Sequence, residues 1–237
     1  MKIGVLTSSR ADYGIYFSLL EKLKNDSFFS LEVIAFGTHL SSNHGYTLES
    51  IEADNYSIIH KITSLIDNDD EHSIVSSYGL TVMKFADFWQ SNLYNLVFCL
   101  GDRFEMSAAV QAGIPFGVKF AHIHGGETTK GAIDNVYRHQ ISLASDFHFT
   151  ATNIYKERVI EVIGSSKNVF SVGSLSLDSV KSFVPMERKL FLNAFKIPNE
   201  VFALVTFHPE TRAFKYNIVL SIEMKNALST ISKNLFL

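Results

Sequence analysis

Short apolar runs bounded by loops recur along this chain with helix-like stretches between them: Ile3–Leu6, Leu31–Phe36, Leu96–Leu100, Gly117–Ile123, Phe147–Thr150 and Val169–Val172. Runs this short with little internal alternation are the signature of parallel strands buried on both faces. The stretches between them carry apolar residues at helical spacing, such as Ile15, Leu19, Leu20 and Leu23 in the first and Ile74, Leu80, Val82, Met83 and Phe88 in a later one. Strand and helix in strict alternation predict an α/β fold, a doubly wound parallel sheet of the Rossmann-like kind.

Around Lys181–Asn199 the sequence turns more polar and includes Pro185 and Pro198; beyond it Phe202–Phe207 reads as a strand and Lys215–Ser232 as a helix. The expected organisation is an N-terminal domain over 1–184 and the start of a second, incomplete Rossmann-like domain over 185–237, with apolar residues up to Leu237 left uncovered. The formal charge of -3, from 21 Lys and Arg against 24 Asp and Glu, offers no basic field, so nucleic acid is not an expected partner. No apolar stretch approaches the ~18 residues of a membrane helix, and the N-terminus lacks the ~7–15-residue apolar core of a secretory signal. The single cysteine, Cys99, lies within an apolar run, where a buried thiol is expected. These features together predict a cytoplasmic protein with no membrane partner.

In open α/β sheets ligands bind beyond the carboxyl ends of the strands. Polar residues gather there: Ser8-Ser9-Arg10-Ala11-Asp12 after the first strand, Gly37-Thr38-His39 after the second, Gly101-Asp102-Arg103-Phe104-Glu105 after Leu96–Leu100, and His124-Gly125-Gly126-Glu127 after His122. Each admits a structural reading. Asp102 and Glu105 have the spacing of a capping box; Arg10 could pair with Asp12 or meet a diphosphate beside helix N–H groups. Asp134 and Arg138, four apart on a helix, have the spacing of a surface ion pair. His39 fits a hydrogen-bonded loop histidine and His148 a core or edge-strand residue. His122 and His124, alternating on a strand, would face one way and could hold a metal with Glu127 or Asp134. The chain has no G-x-x-x-x-G-K-[ST], no G-x-G-x-x-G after its first strand and no G-x-S-x-G, which disfavours P-loop hydrolysis, a bound dinucleotide and a nucleophile elbow.

Taken in order, Ser9-Arg10-Ala11-Asp12-Tyr13-Gly14, Gly37-Thr38-His39-Leu40, Gly101-Asp102-Arg103-Phe104-Glu105, His122-Ile123-His124-Gly125-Gly126-Glu127, Ile133-Asp134 with Arg138-His139, and Phe207-His208-Pro209 resemble the hydrolysing UDP-N-acetylglucosamine 2-epimerase family, from Met1 to about Arg212. The resemblance implies two Rossmann-type domains in a glycosyltransferase-B-like arrangement. It also implies a UDP-sugar substrate, release of UDP and N-acetylmannosamine on the way to sialic-type sugars, no cofactor or metal, and a possible homodimer. Close relatives act on UDP-N,N'-diacetylbacillosamine. Some members carry Glu where this chain has His124, so the acid/base role of that Glu falls here to His124 or Glu127.

The implied chemistry removes the C2 proton while the C1–O bond to UDP breaks, giving a 2-acetamidoglucal; water then adds at C1 and C2 is reprotonated on the opposite face. Proton donors and acceptors are needed on both faces of the ring, for which Asp102, His124, Glu127, Asp134 and His208 are the candidates. Arg10, Asp12, His39, Arg103, Arg138 and His139 are the candidates for substrate binding, the arginines meeting the diphosphate. Two other readings compete: a metal-dependent hydrolase built on His122, His124 and Glu127, and an inactive nucleotide-sugar-binding fragment.

Overall fold

The structure, a computed structural model, describes every residue except 69, 179, 181–182, 209–215, 232–234 and 237. Contacts divide it into two units, Met1–Thr128 with Asp134–Lys181, and Thr129–Ile133 with Ser182–Leu237. The first unit runs β1 (Lys2–Thr7), α1 (Arg10–Asn25), β2 (Ser30–Phe36), α2 (Leu48–Ala53), β3 (Ile59–Ile62), α3 (Glu71–Ser91), β4 (Leu96–Leu100), α4 (Phe104–Gly113), β5 (Phe120–Ile123), α5 (Asp134–Leu143), β6 (Phe147–Thr150), α6 (Asn153–Ile163) and β7 (Val169–Ser171). Its seven strands form one sheet in the order β3-β2-β1-β4-β5-β6-β7, and every pairing is parallel. The predicted doubly wound sheet is therefore observed. Strand β3, whose sequence Ile-His-Lys-Ile is half polar, escaped the sequence reading because an edge strand needs no continuous apolar run.

Both faces of the sheet are covered. On β1 and β2, Ile3, Val5, Leu31, Val33 and Ala35 pack with Tyr13, Tyr16, Leu20 and Leu23 of α1, while Leu6, Ile34 and Phe36 point the other way to Phe85 and Trp89 of α3 and Met106 of α4. Adjacent residues on one strand thus enter different cores, which explains the near-continuous apolar runs. Cys99 is a buried free thiol, as expected. Helix α3 departs from expectation: Met83 is 69% exposed, and the buried stripe is Ser73, Ser77, Thr81, Phe85 and Trp89. Three of those five are hydroxyl residues. Ser77 Oγ accepts from the Ile66 N–H at 2.8 Å and Thr81 Oγ1 bonds Ser64 Oγ at 2.7 Å, so this face satisfies the loop after β3, a burial that hydropathy periodicity does not register.

The second unit contains α7 (Arg188–Ala194), β8 (Ala203–Leu204), α8 (Asn217–Ile231) and β9 (Leu235–Phe236), with β8 and β9 paired in parallel. The strand predicted over Phe202–Phe207 shrinks to two residues, and Leu204 is 78% exposed, because a two-stranded sheet has no layer to bury against. Helix α8 lies within the predicted Lys215–Ser232 but begins after Tyr216, and Lys215 and Ser232 lie outside the described residues. Among the described residues no helix is long and apolar enough to cross a membrane.

Several histidines are built into the first unit as neutral groups. His122 on β5 is fully buried, its Nε2–H donating to the Gly101 carbonyl at 2.9 Å and its Nδ1 accepting from Ser142 Oγ at 3.0 Å; burial pushes its pKa down to about 3. His39, also buried, bonds Thr7 Oγ1 at 2.9 Å and Thr47 Oγ1 at 2.8 Å, and burial lowers it to about 4. His148 on β6 is the core residue it was expected to be.

Gly79, exposed in mid-α3 with open space where a Cβ would stand, should accept alanine with a gain of about 0.5–1 kcal/mol. Gly126→Ala should lose more than about 1 kcal/mol, since φ is +79° and the new Cβ would lie 2.3 Å from the Tyr155 carbonyl oxygen; urea denaturation reads both. For pH, the folded pKa values of His39 and His122 lie below their usual 6.5, so the unfolded chain binds more protons between about pH 6.5 and 4. Stability is then fully present above pH 6.5 and is lost as pH falls. Asp102, raised by burial, opposes this as it takes up its proton. A urea midpoint that falls steadily from pH 7 to 4.5 is expected, and one that stays level contradicts it.

Candidate functional site

The order of the sheet reverses between β1 and β4, whose neighbours β2 and β5 lead the chain to opposite sides; a crevice opens outside the carboxyl ends of strands at such a point. A cleft of about 570 Å3 lies there, lined from the β1 end by Ser9, Ala11 and Asp12, from the β4 end by Asp102 and Arg103, and beyond β5 by His124 and Glu127. Asp134 and Arg138 of α5, Tyr155 of α6, and Ser174 and Ser176 after β7 complete it. Helices α1 and α4 begin at its wall, so their leading N–H groups and dipole ends favour an anion.

Local chemistry explains each position. Ser9 caps α1 by accepting from the Asp12 N–H at 3.3 Å. Asp12 in turn accepts from the Ser8 N–H at 3.0 Å and Ser8 Oγ at 2.7 Å. The suggested Arg10–Asp12 pair is therefore absent among the described residues: Asp12 folds back onto Ser8, and Arg10 is exposed. The capping box is corrected as well. Arg103, not Asp102, holds the N-cap position of α4 and its side chain caps nothing; it bonds Glu105 at 2.8 Å, and Glu105 is 1% exposed. Asp102 is drawn away to Arg138, with which it makes a short ion pair.

Arg138 is 4% exposed rather than a surface residue, and its partners are not Asp134. Nη2 donates to Asp102 Oδ2, Nη1 donates to the His124 carbonyl at 2.6 Å, and Nη1 lies 3.8 Å from Glu127 Oε2. His124 sits past the end of β5 with φ of +63°, a left-handed conformation costing a non-glycine residue of order 1 kcal/mol or more. That turn removes it from the strand, so His122 and His124 do not share a face as alternation suggested. The strain is held by the Arg138 bond and by donation of the His124 N–H to Phe149 O at 3.0 Å. In this pose Nδ1–H donates to Glu127 Oε1 at 2.5 Å, and the buried Nε2 has no partner among the described residues.

The two carboxylates are tuned apart. Burial raises Asp102, reinforced by the charge of Asp134, and Arg138 only partly offsets this. Burial also pushes Glu127 upward, but the His124 hydrogen bond and the charges of His124 and Arg138 outweigh it and leave it lowered. One carboxyl keeps its proton longer than usual; the other releases it early.

Of the residues singled out from sequence, Asp12, Asp102, Arg103, His124, Glu127, Asp134 and Arg138 line this cleft. Arg10 adjoins it between Ser9 and Ala11. His39 and His139 are outside its lining: both ring nitrogens of His39 are engaged, and Nδ1 of His139 is buried with no partner among the described residues. His208 is exposed in the second unit, and Pro209 lies outside the described residues. Tyr155, Ser174 and Ser176 went unnoticed, although the serines follow the predicted strand Val169–Val172 directly. Among the described residues no group of three or more His, Cys, Asp or Glu is placed to hold a metal ion.

A family model described as UDP-N-acetylglucosamine 2-epimerase matches residues 21–235. The chain is 35% identical over 212 residues to a Campylobacter jejuni protein named GDP/UDP-N,N'-diacetylbacillosamine 2-epimerase (hydrolyzing), covering 89% of this chain and 55% of that protein. It is 35% identical over 211 residues to polysialic acid biosynthesis protein P7 of Escherichia coli, covering 89% and 54%. It thus spans about half the length of the curated relatives it matches. In fold it is similar to the Neisseria meningitidis UDP-GlcNAc 2-epimerase bound to UDP-GlcNAc, with a TM-score of 0.74 at 19% identity over 98% of this chain and 64% of the other. With the cleft at the switch point and this match over most of its length, the chain belongs to the UDP-N-acetylglucosamine 2-epimerase family.

Proposed function

We propose that this chain carries the site-bearing domain of a hydrolysing UDP-N-acetylglucosamine 2-epimerase, residues 1–184 forming that domain and 185–237 belonging to a second Rossmann-like domain. The observation that carries the reading is the His124–Glu127 pair. With Nδ1–H committed to Glu127, Nε2 is the ring nitrogen left to exchange a proton with a substrate, the arrangement by which an oriented carboxylate makes histidine an acid/base. Asp102, whose burial makes its carboxylate take up a proton more readily than an ordinary aspartate, is the complementary proton-transfer group.

In the proposed reaction one of these groups takes the C2 proton as the C1–O bond breaks and the bonding pair leaves with UDP, forming the C1=C2 double bond of a 2-acetamidoglucal. Water then adds at C1 and a proton returns to C2 from the other face. Arg103, Arg10 and the α1 N-terminus take the diphosphate charge, Asp134 stands beside the proton-transfer groups, and His208 acts from the second domain, as the family resemblance implies. This chemistry calls for no metal or cofactor. A cytoplasmic homodimer feeding sialic-type sugar synthesis completes the reading. The relatives named for N,N'-diacetylbacillosamine, at 35% and 32% identity, support UDP-N,N'-diacetylbacillosamine as a second substrate to test.

Incubation with each UDP-sugar in D2O, followed by NMR, should show UDP release and a manno-configured amino sugar with deuterium at C2. Protium retained at C2 contradicts the elimination. His124→Gln and Asp102→Asn should each cut turnover by about 10²-fold or more, and near-normal turnover in either removes that residue from the scheme.

A further inference from the structure

We infer that Arg158 of α6 is the positioning residue that sets Glu127, and through it His124, for the proposed reaction; the inference rests on the roles given to that pair above. Nη1 of Arg158 donates to the Gly126 carbonyl at 2.7 Å and to Thr128 Oγ1 at 2.6 Å. These acceptors belong to the residues immediately before and after Glu127, so one nitrogen holds a main-chain carbonyl on one side of the carboxylate and a side-chain hydroxyl on the other. The grip comes from 32 and 30 residues away in sequence, and it spans the gap between the β5 loop and α6.

Further contacts make the grip specific. Gly126 is pressed so close to the Tyr155 carbonyl that no side chain fits there, which pins the loop to the first turn of α6. The Arg158 guanidinium lies 5.8 Å from the Tyr155 ring centroid, within cation–π reach, and Tyr155 lines the cleft while Arg158 does not. Arg138 approaches the Glu127 carboxylate from within the cleft; Arg158 fixes its backbone from behind. The His124–Glu127 hydrogen bond needs a carboxylate placed to within about 0.5 Å, and a loop free to shift by about 1 Å would cost up to about 10²-fold in rate.

The test compares Arg158→Met, which keeps the stem over Tyr155 but no donors, with Arg158→Lys, whose single nitrogen can still serve both acceptors. Two readouts are taken on the protein: kcat and KM for UDP release from UDP-N-acetylglucosamine, and the His124 ring resonances in 15N NMR, assigned with His124→Gln. For Arg158→Met, kcat should fall about 10- to 100-fold with KM changed less than about threefold. The downfield Nδ1–H signal shared with Glu127 should disappear, and Arg158→Lys should restore most of both. An Arg158→Met protein that keeps the Nδ1–H signal and wild-type kcat overturns the inference, whatever happens to its melting temperature. Absence of turnover in the wild type would count against the proposed function alone, because the NMR signal still decides whether Arg158 holds the pair.

Discussion

A guanidinium that water cannot reach is stable only where its hydrogens meet acceptors and its charge meets an anion. Arg138 meets most of that demand with the chain segments that make the cleft: the Asp102 carboxylate after β4, and the His124 carbonyl and Glu127 carboxylate after β5, its Nε alone being buried with no partner among the described residues. Two adjacent strand ends are thereby tied to α5 by one side chain. The left-handed backbone of His124 persists because its carbonyl is one of those ties. The direction in which the imidazole emerges, and hence its bond to Glu127, follows from that backbone. The same cation lowers Glu127 and restrains the rise of Asp102.

The fold supplies the setting. Parallel strands covered on both faces leave only their carboxyl ends free for polar groups, and the reversal between β1 and β4 separates the flanking helices into a crevice. Helix N-termini then point their N–H groups at the same space as the arginines, which suits a diphosphate. Buried neutral histidines such as His122, hydrogen-bonded on both ring nitrogens, lock the layer beneath. Function and stability therefore draw on the same polar residues, and few of them can change without affecting both.

The architecture was legible because burial on both faces imposes a simple pattern: the runs Leu96–Leu100 and Phe147–Thr150 coincide with β4 and β6. What failed was local pairing. Asp102 and Glu105 have capping spacing, and Asp134 and Arg138 have ion-pair spacing, but each answers to a group far away in sequence: Arg138 reaches Asp102 across 36 residues. Alternation on a strand placed His122 and His124 together, and the single left-handed residue that separates them leaves no mark in hydropathy. The α3 stripe of serines and threonine was invisible for the same reason. Arg158 carried no signal at all, since a residue that binds a main-chain carbonyl and a hydroxyl about 30 residues away belongs to no local motif.

The buried Arg138 and the half-buried Asp102 form one coupled unit on which the rest depends. A double-mutant cycle with Arg138→Met and Asp102→Asn, followed by urea denaturation at pH 7, measures that coupling directly. Arg138→Met alone should cost up to about 3 kcal/mol by leaving the half-buried Asp102 and Glu127 carboxylates without their cation, and adding Asp102→Asn should recover a substantial part of the loss. Strictly additive effects, with no recovery in the double variant, would contradict the account.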